Sequence, residues 1–151
     1  YSVSAMVNLK YNGWSDSYFT AGSAQTGNTT NYGLRAWWRP LGTGTATPQV
    51  SLGYDITNIS DVAEDVDSTD AYFVGLNWLD TFNADDRIGI AFGQPQTRED
   101  NTADPFMWEA YYSFKVNDSV TMTPALFGGT DRTGTAGDDV TGAVLETTFK
   151  F

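Results

Sequence analysis

The sequence predicts an all-β fold, an antiparallel transmembrane β-barrel wall of eight strands, on three observations. Apolar residues recur at every second position in run after run. No segment approaches the roughly 20 consecutive apolar residues of a membrane-spanning helix, although 40% of the chain is hydrophobic and 15% aromatic. Gly, Thr, Asn and Asp collect between the runs, which is the chemistry of turns.

The first run sets Tyr1, Val3, Ala5, Val7, Leu9 and Tyr11 against Ser2, Ser4, Met6, Asn8 and Lys10. The second alternates Tyr32, Leu34, Ala36 and Trp38 with Gly33, Arg35, Trp37 and Arg39. The third alternates Val50, Leu52, Tyr54 and Ile56 with Ser51, Gly53, Asp55 and Thr57. Tyr72, Val74, Leu76 and Trp78 make the fourth, and Ile88, Ile90 and Phe92 the fifth. The sixth carries Phe106, Trp108, Ala110, Tyr112, Phe114 and Val116, opposed by Met107, Glu109, Tyr111, Ser113 and Lys115. Val120, Met122, Pro124 and Leu126 form the seventh; Ala143, Leu145, Thr147, Phe149 and Phe151 form the eighth. Several runs reach about 9 to 11 residues, which a tilted strand needs to cross a bilayer. Strands of soluble sheets cluster nearer about 5 or 6.

The connections are expected to alternate in length. Polar stretches from Asn12 to Asn31, Asn58 to Asp70, Gln94 to Pro105 and Gly128 to Asp139 are the long ones. Pro40 to Pro48, Asp80 to Asp86 and the Asn117-Asp118 turn are the short ones. Outer-membrane barrels pair long external loops with short periplasmic turns. On that frame the membrane-interface aromatics fall in two bands. Tyr11, Tyr32, Tyr72, Phe106 and Trp108 lie at the long-loop end; Trp38, Trp78, Phe114, Phe149 and Phe151 lie at the short-turn end.

Composition removes most chemistry. The chain has neither Cys nor His, so thiolate or imidazole metal ligands and a Ser-His-Asp arrangement are out of reach. A net charge of -11 does not suit nucleic acid. A carboxylate pair for catalysis would have to come from Glu109 and Glu146, on runs separated by the seventh; no enzyme activity, cofactor or metal site is expected. Asp61, Glu64, Asp65, Asp67 and Asp70 offer oxygen ligands without the spacing or glycine of an EF-hand. A solvated loop is the expectation there, as for Arg98-Glu99-Asp100 and Asp138-Asp139.

The second face of the alternation is small and polar, including Ser2, Ser4, Gly33, Ser51, Gly53, Gly75, Gly89, Ala91, Gly93, Ser113 and Gly142. A closed barrel of about eight strands is filled by its own side chains, whereas about 16 to 18 strands leave an aqueous channel. Residues this small suit a wide wall, so these strands are expected to be the second half of a barrel of about 16. Pore-lining candidates are Lys10, Arg35, Trp37, Arg39, Asp55, Glu109, Lys115 and Glu146. Lys10, Arg35 and Arg39 would set a local positive field. Arg39, beside Pro40, equally suits a head-group or turn contact, and Lys150 suits the rim. Trp37 either offers its ring to a sugar or packs on an inward neighbour.

Whole phrases carry a family resemblance. Tyr111-Tyr112-Ser113-Phe114-Lys115-Val116-Asn117-Asp118-Ser119-Val120-Thr121-Met122-Thr123-Pro124-Ala125 resembles the penultimate hairpin of cyanobacterial outer-membrane porins, the carbohydrate-selective or "iron uptake" kind. Thr147-Thr148-Phe149-Lys150-Phe151 resembles their ending. Gly75-Leu76-Asn77-Trp78 and Ile88-Gly89-Ile90-Ala91-Phe92-Gly93-Gln94-Pro95 fit as well. The resemblance runs from Asn31 onward. It implies a homotrimer in the cell outer membrane, lipid around the apolar face, and passive passage of small hydrophilic solutes such as ions and sugars. Phe149 and Phe151, closing an alternating strand, look like the C-terminal insertion signal of such barrels. Family members are longer, with an N-terminal cell-wall-binding segment and the first half of the barrel. Both are expected to precede Tyr1, which already sits in an alternating run. Phages or surface ligands would meet the external loops. The alternative is a self-contained eight-stranded outer-membrane barrel with a structural or adhesive role; a soluble β-sandwich is a third reading.

Overall fold

The computed structural model describes residues 1–11, 28–60, 68–99 and 101–151. They form β1 (Ser2–Lys10), β2 (Asn28–Trp38), β3 (Gln49–Ser60), β4 (Ser68–Leu79), β5 (Arg87–Arg98), β6 (Phe106–Asn117), β7 (Val120–Thr130) and β8 (Val140–Phe149). All pair antiparallel with their sequence neighbours in one sheet, ordered β1 to β8. The eight strands and the absence of helix among the described residues are what the alternation predicts. Closure is not: the sheet is open, β1 and β8 do not pair, and each strand touches only its sequence neighbours. Among the described residues there is accordingly no second layer to make a sandwich.

The register keeps both faces intact through the middle of the sheet; it shifts only near strand ends, between Asp70 and Tyr72 in the β4–β5 pair and between Lys115 and Asn117 in the β6–β7 pair. One line of cross-strand partners runs Trp38, Val50, Leu76, Ile90, Ala110, Leu126, Ala143. The adjacent line, on the other face, runs Ser2, Trp37, Ser51, Gly75, Ala91, Glu109, Phe127, Gly142. A one-residue slip in any pair would turn that strand's apolar set to the polar face. The apolar face covers nothing. Ile59 is the buried hydrophobic residue among those described, while Leu34, Trp38, Leu52, Tyr54, Leu126 and Leu145 are all exposed.

The expected alternation of long and short links does not hold. The links 61–67, 80–86 and 99–105 are equal in length, and 39–48 exceeds them. Strands consume the difference at the long-loop end: β2 starts at Asn28, β3 continues to Ser60, β4 starts at Ser68 and β5 reaches Arg98. Apart from Ile59 these extensions are mostly polar on both faces, so hydrophobic periodicity cannot reveal them. They are held by side-chain bonds, with Thr57 Oγ1 donating to Asn31 Oδ1 at 2.6 Å and Gln96 Nε2 to Thr69 Oγ1 at 2.9 Å. Thr29, Thr57, Thr69 and Thr97 are buried there.

Candidate functional site: a wall with two faces

On the apolar face, aromatic residues come in pairs six residues apart: Tyr32 and Trp38 on β2, Tyr72 and Trp78 on β4, Trp108 and Phe114 on β6. The register fixes their relative heights. Trp38 is level with Leu76 through Val50, and Trp78 lies two residues nearer the short-turn end. Trp78 is level with Tyr112 through Ile88, and Phe114 again lies two residues on. Phe114 is level with Thr147 through Met122, and Phe149 is two residues further. The other line behaves alike: Tyr32 is level with Asp70, two short of Tyr72. Phe73 is level with Met107, which puts Trp108 two beyond the level of Tyr72. Both lines therefore drift by one residue per strand. Phe106 sits above the upper line, against Phe92 with ring centroids 6.3 Å apart. Tyr11 and Phe151 lie just outside the strands.

The lower line rests on a tightly bonded rim. The Trp78 indole donates to Ala46 O at 2.9 Å, and Gly44 N to Leu79 O at 2.8 Å, so neighbouring turns are tied. Asp86 is buried, and its carboxylate accepts the backbone N–H groups of Thr81, Phe82 and Asn83 and the hydroxyl of Tyr112, at 2.7 to 3.0 Å. Burial pushes the Asp86 carboxyl up, but these hydrogen bonds together outweigh it and hold the group below the usual aspartate value. Tyr112 in turn meets Phe82 edge-on and stacks on Phe114, with centroids 6.0 and 5.3 Å away. The sequence offers only one hint of this cap, the second of two adjacent Asp residues closing a turn of Thr, Phe and Asn.

The polar face does not gather Lys10, Arg35 and Arg39 into one positive field. Antiparallel pairing puts Lys10 opposite Thr29 at the long-loop end and Arg39 beyond Trp38 at the other. Arg35 is neutralised by Asp55 at 2.5 Å, donates to Tyr54 O at 3.2 Å, and lies 5.6 Å over the Phe73 ring. That ring lies flat because its cross-strand partner is Gly53, where a Cβ would come within 2.1 Å of it. Tyr111 covers Gly89 in the same way and donates to Asn77 Oδ1 at 2.8 Å. Trp37 packs on an inward neighbour, its ring 5.8 Å from the Arg39 guanidinium. Lys115 pairs with Asp85 at 2.7 Å. Glu109 and Glu146 line an open hollow of about 490 Å³ together with Arg87 and Tyr111. Sequence reasoning missed Phe73, Tyr111 and Arg87. The first two could have been found as rings in the polar phase of the alternation beside glycine-bearing runs.

Asp61, Glu64, Asp65, Asp67 and Asp100 lie outside the described residues; Asp70 accepts a bond from Gln94 Nε2 at 3.3 Å. Among the described residues no group of three carboxylates is placed to hold a metal ion. Compared with protein-family models, curated proteins and solved structures, the chain finds no match. The porin resemblance thus stands on the sequence phrases alone.

Proposed function

We propose that these strands are part of the wall of an outer-membrane channel of the porin kind. Lipid covers the apolar face, and small hydrophilic solutes, ions or sugars, diffuse passively past the polar one. The observation that carries this reading is the drift of the two aromatic lines by one residue per strand. A residue is about 3.3 Å along a strand and strands lie about 4.8 Å apart. Two level interfaces would therefore meet strands tilted by about 35°, within the range of roughly 35–45° for transmembrane barrels. A soluble sheet has no reason to keep its rings on two parallel lines across strands.

Two further observations agree. The apolar face is exposed and the sheet has no core of its own, so a large apolar surface needs a cover. A narrow, self-contained barrel would require β1 to pair with β8, and the sheet is open. The family phrases add the trimeric porin as the assembly. The test is made on the full-length polypeptide extracted with detergent and inserted into planar bilayers. Discrete conductance steps are expected, together with quenching of Trp38, Trp78 and Trp108 fluorescence by brominated lipid and sparing of Trp37. A protein that stays soluble without detergent and gives no conductance would end the proposal.

A further inference from the structure

The channel reading leaves the distribution of charge along the wall open, and the register resolves it. Each aromatic of the lower line is followed in the chain by a residue on the opposite face: Arg39 after Trp38, Lys115 after Phe114 and Lys150 after Phe149. On β4 that residue is Leu79, and its cross-strand partner is Arg87. Lys150 stays in register, its N–H donating to Ser119 O at 2.8 Å. Four cations therefore follow the same slanted line as the aromatics, on the polar face, at the short-turn end. Four carboxylates, Asp80, Asp85, Asp86 and Asp118, stand at the same end, and among the described residues only Asp85 is ion-paired with a cation of the line. Asp85 is taken by Lys115, Asp86 is turned onto the apolar-face Tyr112, and Asp80 caps the Asp85 N–H at 2.7 Å. Asp118 lies in the β6–β7 turn. The Arg39 guanidinium rests on Trp37, and among the described residues Arg87 and the Lys150 ammonium have no ion-pair partner.

Nearer the long-loop end the wall charge changes sign. Asp55 stands level with the upper aromatic line, and Glu109 and Glu146 stand between the two lines; of the three only Asp55 has a cation, Arg35. Beyond them the carboxylates Asp70, Glu99, Asp104, Asp131, Asp138 and Asp139 outnumber the cations Lys10, Arg98 and Arg132, of which Arg132 pairs with Asp138. We infer that Arg39, Arg87 and Lys150 form an anion-attracting collar at the short-turn mouth, below a carboxylate zone, so that the channel is electrically polarised along its axis. Ions then meet a cation-selective entrance on one side and an anion-selective one on the other. Voltage of one sign fills the passage with both ions, and the opposite sign depletes it.

This inference rests on the channel reading, and one set of recordings separates their failures. The full-length protein is recorded in planar bilayers at about 0.1 M KCl, where the Debye length is about 10 Å, and at about 1 M, where it is about 3 Å. Currents at opposite voltages should be unequal in dilute salt and equal in concentrated salt. In the R39Q/R87Q/K150Q variant the current ratio should fall about threefold, because three unit charges near the path are removed. A second measurement needs no variant: citrate, a trianion, added to one side at a time should reduce the wild-type current more from one side than from the other. A conducting wild type with equal currents in dilute salt and equal citrate effects from both sides overturns the collar and leaves the channel standing. A ratio unchanged in a conducting variant does the same. Absence of any conductance overturns both.

Discussion

Ile90 offers the sharpest test of which face meets lipid. On β5 the upper aromatic line passes through Gly93, between the levels of Tyr72 and Trp108, and the lower line passes through Arg87, between the levels of Trp78 and Phe114. Ile90 is three residues from each, the midpoint of the apolar band, and is 39% exposed on that face. Ala91 is its neighbour in the chain and faces the other way, between Gly75 and Glu109. An arginine at the lipid-facing midplane of a barrel costs about 2 to 4 kcal/mol, while lumen positions are tolerant. Ile90→Arg should therefore lower the unfolding free energy in lipid vesicles by about 2 to 4 kcal/mol, and Ala91→Arg by less than about 1 kcal/mol. Urea titration of vesicle-inserted protein, followed by tryptophan fluorescence, measures both. If the apolar face met water, the exposed Ile90 would accept arginine at no cost. Equal effects of the two substitutions would refute the assignment of faces and, with it, the slanted membrane band.

Two other outcomes follow from the packing of the sheet. Gly89→Val places a Cβ 2.1 Å from the Tyr111 ring, so the ring must lift and its bond to Asn77 is lost; destabilisation of about 1 to 3 kcal/mol is expected in the same titration. Asp86 has a folded pKa below its ordinary value of 3.8, so the stability that it contributes is complete above that value and is lost as pH falls through the folded one. Asp86→Asn should destabilise the protein at neutral pH and flatten the decline of stability below about pH 4. A variant that keeps the wild-type acid profile would show that another carboxylate governs it.

How much of this was legible in the sequence depends on whether a residue's partner lies on its own strand. The alternation of Phe106 to Val116 marks a strand and its faces from local spacing alone, and β6 spans those residues as expected. The extensions Asn28 to Asn31 and Gln94 to Arg98 were hidden because Thr, Asn and Gln are polar on both faces there. Their pairing comes from ladders and cross-strand side-chain bonds, which leave no period in the chain. The wall charges were hidden in another way. Lys10, Arg35 and Arg39 look adjacent when strands are compared by sequence. The register sends the first and last to opposite ends and binds the middle one to Asp55. Trp38-Arg39, Phe114-Lys115 and Phe149-Lys150 are visible as dipeptides, but their common level emerges only once the strands are aligned.

The open edges bear on how wide the barrel must be. In hydrocarbon every backbone N–H and C=O needs a protein partner, and each one left bare costs about 2 to 7 kcal/mol. Among the described residues, the outer edges of β1 and β8 are unpaired along Ser2–Lys10 and Val140–Phe149. The combined cost in lipid would be on the order of tens of kcal/mol, more than a domain's whole stability of about 5 to 15 kcal/mol. Under the membrane reading both edges must be met by strands. If they met each other, the interior of about eight strands would have to be filled by side chains. Ser51, Gly53, Gly75, Gly89 and Ala91 leave the middle strands unable to fill it, and Phe73 and Tyr111 lie flat against the wall rather than reaching across. Under that reading additional strands, from the same polypeptide or another, are the remaining solution, and they would widen the ring to one that holds water.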